Sequence, residues 1–290
     1  MMQTKKVCRV AAIQMISTDS VRQNLEKIKE SVGRCAEKGA RLVLLPEYFS
    51  FMGNYEKEKL SIAETDVVTS EIGDKSEVQE FLSSVAKENA IWVIGGTVPI
   101  KSKNKNKVFN SMIVFDDLGI RKARYDKIHL FEFSNGEEQH NETRYCIAGE
   151  SPISLETPAG NTLLSVCYDL RFPELYRRKS IREDTTNLIV VSAAFTKDTG
   201  LAHWEILLRA RAIENQAYVL ASAQGGRHPS GRETWGHSMF ISPWGDIIKK
   251  CGFGEDLVLG NVDFDYLGVI RKKLPSLEHQ KFNLEKRRVC

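Results

Sequence analysis

A cysteine, a glutamate and a lysine occupy places in this 290-residue sequence where they could carry out acyl transfer. Cys167 follows a short apolar run and precedes a helix that Pro173 should open, so we expect it at a strand-to-helix turn. The positive end of a helix dipole would there lower the pKa of the thiol. Glu47 ends a short buried strand, and Lys127 opens a long loop. A carboxylate that takes the thiol proton and an ammonium that faces the oxyanion would complete the set. The spacing of these residues does not show that they meet, so Glu47 and Lys127 could instead be ordinary surface residues.

Apolar strands alternate with amphipathic helices around these three positions. We predict strands at 8–15, 42–45, 91–98, 108–115, 121–125, 163–166, 188–192 and 218–223 and near Ser238, Ile247 and Val258, and helices at 21–38 (with Asp19 as N-cap), 77–89, 173–181, 202–216 and 264–273. The stretch 126–149 lacks periodicity and is predicted as a long loop. Continuously apolar strands indicate sheets covered by helices, so we expect a layered α/β protein. One domain should span residues 1–290, with an extended tail from about residue 275.

The composition excludes several classes of protein. A hydrophobic share of 42%, a charged share of 27% and a formal net charge of +3 are typical of a globular chain. The lysine-rich run at 101–107 lacks aromatic residues, so we expect a solvated loop and no nucleic-acid partner. No apolar window is long enough to span a membrane and the start lacks a signal-peptide pattern, which predicts a cytoplasmic protein without a membrane partner. The six cysteines form no C-x-x-C pair and the histidines are scattered, so we expect reduced thiols, no metal site and no cofactor.

Three strings in the sequence resemble the catalytic motifs of the nitrilase (carbon-nitrogen hydrolase) superfamily. LVLLPEYFS surrounds Glu47, YDKIHLF surrounds Lys127 and SVCYDLRFPELYR surrounds Cys167, in the order that the superfamily has. The likeness extends from AAIQM near the start to the DFDYL region. The resemblance implies a four-layer α-β-β-α sandwich of the nitrilase type and a Glu47, Lys127 and Cys167 triad. Members commonly form dimers, so a homodimer is expected.

The resemblance also implies a second glutamate in the loop between the lysine and cysteine motifs. Glu142, which precedes a glycine at 149, fits this place, and Glu137 and Glu138 are nearby alternatives. By the implied mechanism, Cys167 attacks an amide carbonyl while the triad glutamate transfers protons, and the departure of ammonia leaves a thioester that water then hydrolyses. Lys127 and the backbone N–H of Tyr168 would stabilise the oxyanion, and Glu142 would orient substrate or lysine.

The later part of the sequence is similar to the Nit branch of the superfamily. The segment from TGLAHWEILLRARAIENQ to AQGGRH and HSM favours the branch members that act on deaminated glutathione, and ω-amidases of α-ketoglutaramate are the alternative. Both substrates carry a carboxylate on an α-keto acid, so a fixed cation is required. Arg171, four residues after the nucleophile, is the candidate, with a structural ion pair as its other possible role. Arg227 and His228 follow a Gly-Gly pair and could line the pocket of a longer substrate, and His203 could contact substrate or cap its helix.

Other classes of protein fit the residues less well. Gly252 and Gly254 are not followed by the third glycine of a dinucleotide-binding fingerprint, and no G-x-S-x-G elbow of a serine hydrolase occurs. A nitrilase-like scaffold without turnover is the alternative from another class, although the three motif centres are intact. The sequence departs from the branch at Leu201, at Asp126 before the motif lysine and in the lysine-rich stretch. Asp126 could tune the charge of that lysine or face solvent.

Overall fold

Two β-sheets and the helices that cover them make up the part of the chain that the computed structural model describes, which is residues 7–68, 76–134, 139–177 and 185–281. The strands are β1 (Val7–Gln14), β2 (Leu42–Leu44), β3 (Trp92–Lys101), β4 (Val108–Phe115), β5 (Arg121–Asp126), β6 (Glu132–Ser134), β7 (Gln139–Asn141), β8 (Cys146–Ile147), β9 (Ser154–Thr157), β10 (Gly160–Val166), β11 (Leu188–Ala193), β12 (Tyr218–Ala223), β13 (Gly225–Arg227), β14 (Glu233–Trp235), β15 (Met239–Ile241), β16 (Ile247–Lys250) and β17 (Asp256–Asp263). The α-helices are α1 (Val21–Glu37), α2 (Glu77–Asn89), α3 (Pro173–Tyr176), α4 (Lys197–Thr199), α5 (Glu205–Asn215) and α6 (Phe264–Lys273). A π-helical turn at Gly200–Trp204 joins α4 to α5, and 3-10 turns lie at Glu56–Leu60, Glu142–Arg144 and Cys167–Arg171.

Each large sheet has three neighbouring parallel strands at its centre. The first sheet has the order β17-β1-β2-β3-β4-β5, with β8 beside β4, and β1, β2 and β3 run parallel. The second has the order β16-β15-β12-β11-β10-β9, and β10, β11 and β12 run parallel. Parallel strands of a sheet end at a common edge, where the following loops meet. The two motifs that follow β2 and β10 are therefore each placed at such an edge.

The layers follow from the apolar faces of the elements. Helix α1 buries Leu25, Ile28 and Val32, and α2 buries Leu82 and Val85, against the outer face of the first sheet. Most of the remaining buried apolar strand residues of both sheets form a second cluster, which α5 and α6 join, and Val108 and Cys146 form a small third cluster with Ala63. All residues of β11 and β12 are buried, which explains why each strand is apolar apart from one serine and, in β12, a tyrosine. The predicted α-β-β-α sandwich is confirmed.

Two serine hydroxyls connect one sheet to the other. Ser192 Oγ on β11 donates to the carbonyl oxygen of Leu45 at 2.7 Å, and Ser222 Oγ on β12 donates to that of Ile13 at 2.5 Å. Both bonds are buried, where an unpaired hydroxyl would be costly. These bonds fix how the sheets sit on each other next to the strand ends.

The structure corrects four predictions about elements. Ser20 rather than Asp19 caps α1, since its side chain accepts from the Gln23 backbone N–H. The helix predicted at 173–181 ends at Tyr176, and residues 178–184 lie outside the described residues. The supposed loop at 126–149 contains β6, β7, a 3-10 turn and β8. The helix predicted at 202–216 is α5, which begins only at Glu205, because residues 202–204 belong to the π-helical turn that follows α4. In the predicted tail, residues 276–279 form a turn, and 282–290 are not among the described residues.

Two predictions drawn from composition concern the lysine-rich run and membrane-spanning helices. Lys101 ends β3, and the rest of the lysine-rich run, residues 102–107, forms the solvated turn between β3 and β4, as predicted. No helix of the described ranges has both the length and the apolar character needed to cross a membrane.

Candidate active site

A buried ammonium group between two carboxylates forms the centre of the site. Lys127 follows β5, and its Nζ lies 2.9 Å from Glu47 Oε1 and 2.7 Å from Glu142 Oε2. The three side chains have almost no contact with solvent, with Lys127 and Glu47 each 1% exposed. Burial alone would lower the pKa of Lys127, but the charges of Glu142 and Glu47 outweigh it and raise the pKa well above its usual value. The lysine therefore carries a fixed positive charge.

The two carboxylates have further donors that fix their orientation. Glu47 Oε1 also accepts from Asn110 Nδ2 at 3.0 Å, and its Oε2 accepts from the Ala194 backbone N–H at 3.1 Å. Glu142 accepts from the Tyr48 hydroxyl at 2.5 Å and from the Phe131 backbone N–H at 2.7 Å.

Ionisation of Glu142 depends on its cationic neighbours. Burial opposes the charged form, yet Lys127 and Lys59 lower the pKa of Glu142 to about 2. The carboxylate is therefore ionised near neutral pH.

Cys167 lies in a tight turn directly after β10, opposite this charged group. Its φ is +50°, in the left-handed region that side chains other than glycine rarely adopt. Asp169 holds the turn, since its buried carboxylate accepts from the Val166 N–H at 2.9 Å, the Tyr125 hydroxyl at 2.7 Å and the His129 N–H at 3.0 Å. The backbone is thus held in a strained shape that presents the thiol.

The expected lowering of the thiol pKa is wrong for this state of the protein. Burial and the charge of Glu47 raise the pKa of Cys167 well above its usual value, and Lys127 and the Ala194 backbone N–H only partly oppose them. Moreover, Cys167 begins a five-residue 3-10 turn and α3 has four residues, so the long helix whose dipole was to act on it is not present in the described chain. Cys167 is therefore a neutral thiol that needs a base before it can attack.

The turn that carries Glu47 is positioned by close packing of its backbone against the backbone of β3. A Cβ on Gly96 would lie 1.8 Å from the Pro46 carbonyl oxygen, so only glycine allows β3 to pass so near the residue before Glu47. Tyr48, on the other side of Glu47, has a φ of +58°. Strain thus occurs next to the carboxylate as well as at the thiol.

The four predicted catalytic residues line one pocket. Its walls include Glu47, Lys127, Glu142 and Cys167 together with Tyr48, Glu56, Phe131, His140, Tyr168, Arg171, Ala194, Phe195, Thr196, Thr199 and Arg232. The pocket encloses about 410 Å³, with the open mouth included. The competing residues Glu137 and Glu138 lie outside the described residues. Glu142 already provides the second carboxylate that contacts the lysine.

Two predicted substrate contacts, Tyr168 and Arg171, lie in the pocket wall. The Arg171 guanidinium lies 5.3 Å from the Phe195 ring and 5.8 Å from the Tyr168 ring, and its Nη1 is 3.1 Å from His203 Nδ1. No carboxylate of the described residues pairs with Arg171, so the structural ion pair that was its alternative role is not formed there. His203 is exposed and does not line the pocket, and its contact with Arg171 places it beside the pocket edge.

The structure places Arg227 and His228 away from the pocket, which corrects the sequence prediction. Arg227 ends β13 with an exposed side chain. His228 is buried, with Nδ1 2.9 Å from the Ser17 carbonyl oxygen and Nε2 2.8 Å from Thr234 Oγ1. Its backbone N–H donates to the Arg232 carbonyl oxygen at 2.8 Å. His228 therefore supports the turn from β13 to β14, and the arginine that reaches the pocket is Arg232.

Sequence reasoning also missed three polar residues of the site. Asn110 and Tyr48 orient the two glutamates, and Arg232 lines the pocket. Tyr48 lies inside the LVLLPEYFS string and was open to detection, whereas no local pattern marks Asn110 within β4. Asp126, the departure beside the motif lysine, accepts from Ser111 Oγ at 2.5 Å and Arg124 Nε at 2.8 Å. Through Arg124 it joins a partly buried ion-pair network with Asp66.

Thiol, paired carboxylates and buried ammonium define a hydrolase site of the carbon-nitrogen type, and the chain belongs to the carbon-nitrogen hydrolase family, whose profile matches residues 9–272. It is 38% identical over 276 residues to a deaminated glutathione amidase of Synechocystis, a match that covers 94% of this chain and 97% of that protein. It is 35% identical to the nitrilase and fragile histidine triad fusion protein NitFhit of Caenorhabditis elegans, over 95% of this chain and 61% of the fusion protein. The chain therefore spans less than two thirds of that relative.

Solved structures of the branch have the same fold. The crystal structure of C. elegans NitFhit has a TM-score of 0.85 at 35% identity and covers 95% of this chain and 65% of its own. The structure of Saccharomyces cerevisiae Nit3, a member of branch 10 of the nitrilase superfamily, has a TM-score of 0.82 at 26% identity over 96% of this chain and 97% of its own. The recognition of the superfamily and of the Nit branch is confirmed.

Proposed function

We propose that the protein is a cysteine-dependent amidase that hydrolyses the amide of a carboxylate-bearing α-keto acid, with deaminated glutathione as the first candidate substrate. The observation that carries the proposal is the buried Lys127 between Glu47 and Glu142, in one pocket with the Cys167 thiol. Relatives that match nearly the whole chain bear the name deaminated glutathione amidase, which supports this substrate.

The first step needs a base because the thiol is neutral. Cys167 Sγ attacks the amide carbonyl carbon, and Glu47 accepts the thiol proton as the carbon–sulfur bond forms. Lys127 and the Tyr168 backbone N–H stabilise the oxyanion that develops on the carbonyl oxygen. Asn110 and the Ala194 N–H hold Glu47 in the orientation that this transfer requires.

The intermediate then collapses and is hydrolysed. Glu47 gives its proton to the nitrogen, the carbon–nitrogen bond breaks, and the acyl group stays on Cys167 as a thioester. Glu47 next takes a proton from water as the water oxygen bonds to the acyl carbon. The carbon–sulfur bond breaks, and the proton returns to the sulfur. Glu142 acts throughout by keeping Lys127 in place, supported by the Tyr48 hydroxyl.

Arg171 is the cation that we assign to the carboxylate of the acyl group. It lines the catalytic pocket, has no carboxylate partner among the described residues and stacks near Phe195 and Tyr168, which would limit its movement. His203, 3.1 Å from the guanidinium, holds the arginine rather than the substrate.

The product amine distinguishes the two candidate substrates. Hydrolysis of α-ketoglutaramate releases ammonia, the leaving group of the implied mechanism. Deaminated glutathione has no terminal carboxamide, so cleavage at its keto acid must instead release a peptide amine. A test of the proposal therefore has to measure the keto acid product, which is common to both substrates, and the amine separately.

The proposal is tested with purified protein and both substrates. Cys167→Ala should lower kcat to below about 10⁻⁴ of the wild-type value, since it removes the nucleophile. Cys251→Ala, a matched change at a buried cysteine outside the pocket, should keep activity. Keto acid formation by Cys167→Ala at the wild-type rate would refute the mechanism. A preference for α-ketoglutaramate would make the protein an ω-amidase, and no product from either substrate would favour a scaffold protein.

The proposal includes a homodimer in the cytosol. The five described cysteines are free, which suits a reducing compartment. On the second sheet's outer side, Ile206 and Ile213 lie two turns apart on α5 and are exposed, and the exposed Trp244 lies in the turn that Ile213 contacts at Gly245. An apolar surface of this kind would be covered in a dimer.

A further inference from the structure

A second, larger pocket adjoins the catalytic one. It encloses about 1070 Å³, open mouth included, and the two pockets have a common wall formed by Tyr48, Glu56, His140, Thr196 and Arg232. Arg171 and Cys167 line only the catalytic pocket, whereas Lys59 and Glu233 line only the outer one. A substrate longer than a simple primary amide could therefore extend from the thiol past Arg232 into the outer pocket.

Arg232 lies in the common wall of the two pockets, which we call the junction, and most of its hydrogen-bonding groups have no partner among the described residues. Its Nε is buried without a hydrogen-bond partner, and its Nη2 makes one long contact of 3.4 Å to the Ala194 carbonyl oxygen. None of the described carboxylates pairs with it. A buried guanidinium edge without an acceptor is costly unless a ligand supplies one.

The acidic residues of the outer pocket do not cancel this charge. Glu233 pairs with Lys197 at 2.9 Å, and Glu56 lies 3.8 Å from His140 Nδ1. Lys59 adds a second positive charge to the same pocket, with its Nζ 5.4 Å from the centre of the Tyr48 ring. The junction is therefore suited to an anion.

The turn that carries Arg232 is held by groups inside the fold. His228 bonds to Ser17 and Thr234 through its ring and to Arg232 through its backbone, and the Gly231 N–H donates to the His228 carbonyl oxygen at 2.8 Å. A pre-organised arginine loses little freedom when it binds a carboxylate.

We propose that Arg232 is a specificity residue that binds a carboxylate on the departing amine, so that the preferred substrates are amides whose leaving group is an acidic, dipeptide-like amine. The inference rests on the proposed amidase function and assigns the acyl carboxylate to Arg171. A two-residue leaving group spans at most about 7 Å. Arg232 contacts the carbonyl oxygen of Ala194, and the N–H of the same residue binds Glu47, so a single residue connects the guanidinium to the base that protonates the leaving nitrogen.

The test compares two substrates that differ only in the charge of the leaving group. These are deaminated glutathione and its analogue with a terminal glycinamide in place of glycine. Wild-type kcat/KM should favour the carboxylate by about tenfold or more, the usual contribution of a charge-assisted hydrogen bond. Arg232→Gln should abolish that preference, mainly through KM. Arg232→Lys should keep part of it and serves as the second variant if the glutamine variant does not fold.

Arg227→Gln is the matched control, because Arg227 lies on the same hairpin and lines neither pocket. It should keep the wild-type preference. Equal losses on both substrates in Arg232→Gln would place Arg232 on the acyl side and overturn the inference. So would a wild-type enzyme that cleaves both substrates equally well, although the amidase function would stand. Cleavage of neither substrate by a wild type that hydrolyses α-ketoglutaramate would overturn the inference alone, and no activity on any of the three substrates would refute the proposed function as well.

Discussion

Lys127 has two carboxylate partners and is almost wholly shielded from solvent, an arrangement that stability alone does not favour. Burying an ion pair costs several kcal/mol per charge unless every group is well paired. Here all three charged groups have further hydrogen bonds or a second partner. Burial, together with the charges of Glu47 and Glu142, raises the pKa of Cys167 although Lys127 opposes them. The cluster keeps the nucleophile protonated until substrate arrives, and the base next to it then takes the proton.

Glu142→Gln tests whether the second carboxylate holds the lysine. The change removes a charge 2.7 Å from Lys127 Nζ, so we expect kcat to fall by about 10²-fold, the usual scale for one electrostatic group at an oxyanion site. Steady-state kinetics on the better of the two substrates measures it. Glu138→Gln, at an alternative position left open by the sequence, should retain activity. The reverse pattern would reassign the second glutamate.

At the level of single residues, the sequence predicts the groups that motifs contain and misses those that the fold brings in. Glu47, Lys127 and Cys167 stand at motif centres, and the structure brings them into one pocket. Arg227 and Arg232 are alike in sequence, both next to turn residues of one hairpin. The two arginines differ only in the folded hairpin. Arg227 stands opposite Glu233 in the register of β13 and β14, and the buried His228 holds the turn from which Arg232 reaches the pocket.

Among the elements, the hairpin of β13 and β14 links the outer pocket to the β1 end through one histidine. His228 sits against Ser17 just after β1 and has its ring nitrogens 2.9 and 2.8 Å from their partners. Burial lowers its pKa from 6.5 to about 4. The hairpin is therefore built around a neutral imidazole, although the residue is one that titrates near neutral pH.

This lowered pKa predicts a loss of stability in mild acid. Between about pH 6.5 and pH 4 the unfolded chain binds a proton at His228 and the folded chain does not, so the free energy of unfolding falls as the pH falls. The full effect is at most about 3 kcal/mol. Urea titrations at pH 7 and pH 4.5 measure it. His228→Gln should be less stable at pH 7 and show a smaller decrease. An identical decrease in both proteins would contradict the assignment.

Elements with a clear apolar pattern were predictable, and those ordered by contacts elsewhere were not. Strands β4 and β12 and helices α2 and α6 have the predicted bounds. The hairpin of β6 and β7 has a polar sequence and gives no periodic signal, yet the next turn carries Glu142 into the site. Helix α3 ends after four residues although Pro173 opens it as expected. No local signal in the sequence marks that end.

On the scale of the whole molecule, the exposed side of α5 is where a second copy would bind. Ile213→Glu should shift the protein from a dimer to a monomer, because a charge buried in an apolar interface is costly. Sedimentation velocity measures the mass. Leu118→Glu, a matched change at an exposed apolar residue in the turn between β4 and β5, should leave the mass unchanged. A monomeric wild type would refute the proposed homodimer. The prediction of one domain from 1 to 290 stays a prediction.

The reacting groups are divided between the two sheets: Glu47 and Lys127 follow strands of the first, and Cys167 and Ala194 follow strands of the second. An acyl group on Cys167 that contacts Lys127 therefore touches both sheets at once. Such a bound group raises the free energy needed to separate the two sheets. Conversely, sliding of one layer by about 1 Å would lower turnover by about 10²-fold, because catalysis depends on the exact placement of the reacting groups. On warming, the enzyme activity should therefore be lost at a lower temperature than the circular dichroism signal of the strands.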